Sequence, residues 1–115
     1  MISIIIPVFN SENTIEILVN NIVKILGEHY KFEIILINDS SKDTSEEKCK
    51  NLVEKYSSVT LYSLSKNVGE HNAVMAGLNK CSGDYAVIMD DDLQHSVYSL
   101  LKLIKFGINE KNNFD

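Results

Sequence analysis

Three consecutive carboxylates, Asp90-Asp91-Asp92, followed by Leu93, Gln94 and His95, are the strongest chemical signal in the chain. Adjacent like charges repel one another and cost stability unless something offsets them. Hard oxygen donors suit Mg²⁺ or Mn²⁺, and alternate residues leaving a strand can converge on one point. Asp90, Asp92 and the amide oxygen of Gln94 therefore form a candidate metal set, with Asp91 pointing elsewhere. A solvated acidic turn ahead of a helix has the same sequence, because the helix dipole favours Asp there; placement at the end of an apolar strand favours the cation. Asp39 is a second acidic candidate, either a helix cap or an acceptor for the imide N–H of a uracil ring. Lys66 reads as a surface charge or as a phosphate contact. His29, His71 and His95 have no metal-ligand spacing, although His95 stands beside the acidic turn as a candidate phosphate contact.

These residues need elements to position them. Ile2 to Val8 is a nearly continuous β-branched run, the pattern of a strand buried on both faces. Ile15, Leu18, Val19, Ile22, Ile25 and Leu26 then follow helical spacing, with Asn13 and Glu16 expected as a capping pair and Gly27 as a stop. Phe32 to Ile37 repeats the buried-strand pattern and ends in the turn formers Asn38-Asp39-Ser40-Ser41. Cys49, Leu52, Val53 and Tyr56 mark a second helix, Val59 to Leu64 a third strand, and His71 to Asn79 a short third helix. Tyr85 to Met89 reads as a fourth strand, and Val97, Leu100, Leu101 and Ile104 as a fourth helix. The βαβαβαβα order implies right-handed crossovers and a mostly parallel sheet with helices on both faces, a three-layer α/β/α fold. In such a sheet the ligand sits beyond the carboxyl ends of the strands. The acidic turn and Asp39 should therefore open onto one crevice.

Composition removes other classes. The 115 residues are 44% hydrophobic with five glycines and one proline, as expected of a packed globule. A net charge of −5 argues against a nucleic-acid partner, which needs clustered Lys and Arg. Cys49 and Cys81 have no Cys-x-x-Cys spacing and read as free thiols. The amino terminus has neither the basic region nor the cleavage site of a signal peptide, and no apolar run is long enough to span a bilayer. No Gly-x-x-x-x-Gly-Lys, Gly-x-Gly-x-x-Gly or Gly-x-Ser-x-Gly motif is present, so P-loop, dinucleotide and hydrolase readings lack their signatures. A receiver-like signalling domain of similar length would carry acidic residues after its first strand, where this chain has Pro7-Val8-Phe9-Asn10. A nucleotide-binding module without catalysis stays open on these grounds.

Four ordered segments together resemble the family-2 glycosyltransferases of the Rossmann-like GT-A fold, in particular those that load sugars onto polyprenyl phosphates such as dolichyl and undecaprenyl phosphate. They are Ile5-Ile6-Pro7-Val8-Phe9-Asn10, Glu33 to Asp43, Asn67-x-Gly69-x-x-x-Ala73-x-x-x-Gly77, and Asp90-Asp91-Asp92-Leu93-Gln94-His95, which is similar to an Asp-x-Asp-Leu-Gln metal motif. The resemblance implies that Pro7, Phe9 and Asp39 contact the nucleoside, and that Asp90, Asp92 and Gln94 form the diphosphate-metal site holding Mg²⁺ or Mn²⁺. Asn10, Lys66 and Asp91 complete the expected nucleotide-binding set. The chain departs from the pattern at several places: Asn38 replaces a usual Asp, Ser40 a usual Gly, and Ser96-Val97 a common Pro-Pro. Glu70 further stands where a basic or amide residue is frequent. The implied reaction is inverting transfer of a sugar from a nucleoside diphosphate to a polyprenyl phosphate or a saccharide hydroxyl, in cell-envelope glycan synthesis. Residues 1–115 would be the amino-terminal, donor-binding part of the domain, truncated before the acceptor part and its catalytic base, and inactive alone. The expected location is cytoplasmic, with membrane association at the inner face carried by the full-length protein.

Overall fold

The computed structural model describes residues 1–91 together with Lys102, Ile104 and Lys105. Its elements run β1 (Ile2–Val8), α1 (Ile15–Leu26), β2 (Phe32–Asn38), α2 (Ser45–Lys55), β3 (Val59–Ser63), α3 (Glu70–Lys80) and β4 (Tyr85–Ile88). The strands form a parallel sheet in the order β3-β2-β1-β4. The fourth helix expected from Val97 lies outside the described residues, except that Lys102, Ile104 and Lys105 are helical.

This order explains the layering. The chain steps outward from β1 to β2 to β3, then returns across the sheet to place β4 on the other side of β1. Right-handed crossovers made in opposite directions deliver helices to opposite faces. Ile2, Ile4, Ile6 and Val8 of β1 accordingly pack with Ile15, Leu18, Val19 and Ile22 of α1 and with Cys49 and Leu52 of α2. The alternate residues Ile5, Ile35 and Ile37 pack on the other face against Ala73 of α3. With β2 and β4 on its flanks and helices above and below, β1 is buried at every position, which is why its sequence shows no polar alternation.

Two local expectations differ from the structure. The N-cap of α1 is Thr14 and makes no side-chain capping bond, so Asn13 and Glu16 are not a capping pair. The first turn is instead closed by the Ser11 carbonyl, which accepts the amides of Thr14 (3.1 Å) and Ile15 (3.0 Å). Gly27 does stop the helix, but in right-handed geometry with φ −58°. Helix α3 extends one residue further at each end than the apolar spacing indicated.

Candidate functional site

β1 lies between β2, reached by the first crossover, and β4, reached by the last. The crossover direction reverses here, and a parallel sheet opens a crevice beyond its carboxyl edge at such a point. A cleft of about 540 Å³ sits there, lined by Pro7, Val8 and Phe9 from the end of β1, Asp39 after β2, Asn67, Gly69 and Glu70 before and at the start of α3, and Asp90 and Asp91 after β4. That volume falls within the usual range for small-molecule sites.

Of the residues singled out in the sequence, Pro7, Phe9, Asp39, Asp90 and Asp91 meet on this wall. Asn10 stands just behind it with φ 50°. Its amide donates to Ser41 Oγ (3.1 Å) and its Oδ1 accepts the Lys42 amide (2.9 Å), joining the loops that follow β1 and β2. Lys66 is exposed and is not part of the cleft lining. Asp92, Gln94 and His95 lie outside the described residues. Asn67, Gly69 and Glu70 were assigned no contact from sequence, although their place after the carboxyl end of β3 was the available signal.

The two central carboxylates are oriented by backbone amides. Asp39 is buried, and its carboxylate oxygens accept the N–H groups of Val68 (2.8 Å) and Gly69 (3.0 Å), at the positive end of the α3 dipole. Its own amide donates to the Val8 carbonyl (2.8 Å). Asp91 accepts the Phe9 amide (2.9 Å) and the Ser11 hydroxyl through one carboxylate oxygen. The neighbouring Asn38 is buried and shapes the turn, its Oδ1 accepting the Ser41 amide (3.2 Å) and its Nδ2 donating to Ser63 Oγ (3.4 Å).

Charge sets the chemistry of the cleft. Asp39, Glu70, Asp90 and Asp91 line it, and no Lys, Arg or His does among the described residues. Behind it, hydrogen bonds from the hydroxyl and amide of Thr44 hold the Glu12 carboxyl below its ordinary range. Burial raises the Asp43 carboxyl, but hydrogen bonds from Ser45 and from the Glu12 amide outweigh it and leave the group lowered. Glu12 and Asp43 therefore stay ionised near neutral pH. Among the described residues no group of three or more His, Cys, Asp or Glu forms a metal cage. Asp90 is the one member of the predicted metal set within them, and a hard oxygen donor on an acidic wall fits a divalent cation. Cys49 plays no part: burial pushes its thiol up to about 12, an inert core group.

A parallel sheet covered by helices on both faces, with an acidic cleft at its switch point, defines a Rossmann-like α/β fold. Residues 3–113 match the model of glycosyl transferase family 2, and the chain belongs to that family. The GT-A arrangement expected from the resemblance is the one observed. The undecaprenyl-phosphate 4-deoxy-4-formamido-L-arabinose transferase of Pseudomonas fluorescens (strain SBW25) is 34% identical over 106 residues, covering 90% of this chain and 31% of that protein. The structure of S. aureus TarS residues 1–349 in complex with UDP-GlcNAc superimposes with a TM-score of 0.73 at 26% identity, covering 95% of this chain and 31% of that one. Glucosyl-3-phosphoglycerate synthase from Mycobacterium tuberculosis, in complex with Mn²⁺, UDP and phosphoglyceric acid, superimposes with a TM-score of 0.64 at 25% identity, covering 80% of this chain and 33% of that one. The chain spans about a third of the length of the curated relatives it matches. No helix among the described residues is long and apolar enough to cross a membrane.

Proposed function

We propose that this chain is the donor-binding part of a metal-dependent, inverting glycosyltransferase that moves a sugar from a UDP- or GDP-sugar to a polyprenyl phosphate at the cytoplasmic side of a membrane. The observation that carries this reading is the acidic cleft at the sheet's switch point, in a chain of this family. A nucleoside diphosphate is anionic, and a wall of Asp39, Glu70, Asp90 and Asp91 repels it unless a cation lies between them. Asp90, with Asp92 and Gln94, would hold Mg²⁺ or Mn²⁺. When bound, such an ion offsets the charge that develops on the departing diphosphate. The Mn²⁺ and UDP of the mycobacterial synthase structure support that assignment.

The chain's own residues take the nucleoside. Pro7 and the exposed Phe9 offer apolar surface for the base. Each Asp39 oxygen has a second lone pair beyond the one facing the α3 amides, which leaves an acceptor for a base N–H. Lys66, exposed on the loop between β3 and α3, would serve as a phosphate contact. A polyprenyl phosphate acceptor is consistent with the name of the Pseudomonas relative. Its second phosphate ionisation falls near about 6, so its attacking oxygen needs little help from a general base.

Titration calorimetry tests the reading. UDP or GDP should bind the full chain in the presence of Mn²⁺ or Mg²⁺ and lose about tenfold or more in EDTA, and Asp92→Ala should abolish the metal dependence. Equal, metal-independent binding by wild type and variant would sink the assignment.

A further inference from the structure

The middle carboxylate of the acidic triplet borders the cleft but is engaged by the loop that follows β1. One oxygen of Asp91 accepts both the Phe9 amide (2.9 Å) and the hydroxyl of the buried Ser11, and its backbone carbonyl accepts the Thr14 hydroxyl (2.7 Å). Ser11 is fixed in turn, its amide donating to Ser45 Oγ (2.7 Å). The end of β4 is thus bound to the loop joining β1 to α1 at three of that loop's residues. Phe9 needs such fixing. Its side chain is 44% exposed on the cleft wall, where burial in the core does not hold it.

We propose that Asp91 is a positioning residue for nucleotide binding: it fixes the β1–α1 loop so that Phe9 is preset against the nucleoside, while its neighbour Asp90 serves the cleft. This rests on the donor-binding reading above. A carboxylate oxygen suits the task because it accepts two donors at once and strengthens both bonds through its charge. Presetting the loop removes an ordering cost that binding would otherwise meet.

A hydrogen-bond acceptor and a metal ligand respond differently to amidation. Titration calorimetry with UDP and GDP, in Mn²⁺ and in EDTA, would compare wild type, Asp91→Asn, Asp91→Ala, Ser11→Ala and Asp92→Ala in the full chain, with exchange of the Phe9 amide followed by NMR. Asp91→Asn keeps an oxygen acceptor and should bind within about threefold of wild type. Asp91→Ala should weaken binding about tenfold and speed Phe9 amide exchange, yet keep the wild-type ratio of affinities with and without Mn²⁺. Ser11→Ala, which leaves the carboxylate in place, should lose about threefold and covers the case in which Asp91→Ala does not fold. Loss of the Mn²⁺ ratio in Asp91→Asn would make Asp91 a metal ligand and overturn the proposal. Wild-type affinity in Asp91→Ala, with the metal dependence lost in Asp92→Ala, would overturn this inference alone. Failure of wild type to bind either nucleotide would overturn the donor-binding reading and this inference with it.

Discussion

Ser40 has φ 57°, in the left-handed region that a residue with a Cβ enters at a cost of roughly 1–2 kcal/mol. The turn after β2 demands it, because Asn38 Oδ1 must reach back to the Ser41 amide and Asp39 must face the amides ahead of α3. A glycine at this place would meet no such penalty. Glycine removes the left-handed penalty but adds roughly 0.5–1 kcal/mol of chain entropy to lose on folding. Ser40→Gly should therefore stabilise the chain by about 0.5 kcal/mol, seen as a higher urea midpoint at unchanged slope. A lower midpoint would mean that the serine side chain contributes more than its backbone costs. Asn10, at φ 50°, needs no such change, since asparagine tolerates this region and its side chain accepts the Lys42 amide (2.9 Å).

At the scale of elements, the seating of α3 decides how the cleft is closed from below. A Cβ on Gly77 would stand 2.5 Å from Ile5 Cγ2 and 3.3 Å from Ile37 Cγ1, so the helix can lie close on β1 and β2 only with glycine there. Gly77→Ala gains about 1 kcal/mol of helix propensity. It also forces a methyl into a fully buried β-branched neighbour, an overpacking cost of about 1–3 kcal/mol. A net loss of about 1 kcal/mol is expected in urea unfolding, with a stabilised variant as the outcome that contradicts this packing. The strands and helices were readable because burial on both faces writes itself as continuous apolar runs in β1 and β2, and one-sided burial as the spacing in α1. The start of α1 was not, because its first turn is closed by the Ser11 carbonyl, a backbone group common to every residue. The same limit applies to the site. Strand ends brought Pro7, Phe9, Asp39 and Asp90 to one edge on topology alone, but the partners of Asp39 lie 29 and 30 residues further along the chain and follow only from how α3 docks.

For the whole molecule, a net charge of −5 and a cleft walled by Asp39, Glu70, Asp90 and Asp91 act in the same direction. Both repel a nucleoside diphosphate before any short-range contact forms. Salt weakens that repulsion, since the screening length shortens from about 30 Å at 0.01 M to about 10 Å at 0.1 M. In EDTA, UDP affinity should therefore rise as KCl is raised from about 10 to 100 mM, the reverse of the usual trend for an anionic ligand on a basic surface. Saturating Mn²⁺ places a counter-charge between wall and diphosphate, and the trend should flatten or invert. Calorimetry at several salt concentrations measures both slopes. Affinity in EDTA that falls with salt would mean that cationic groups dominate recognition, with the exposed Lys66 the first to substitute, and the acidic wall would then lie outside the path of the ligand.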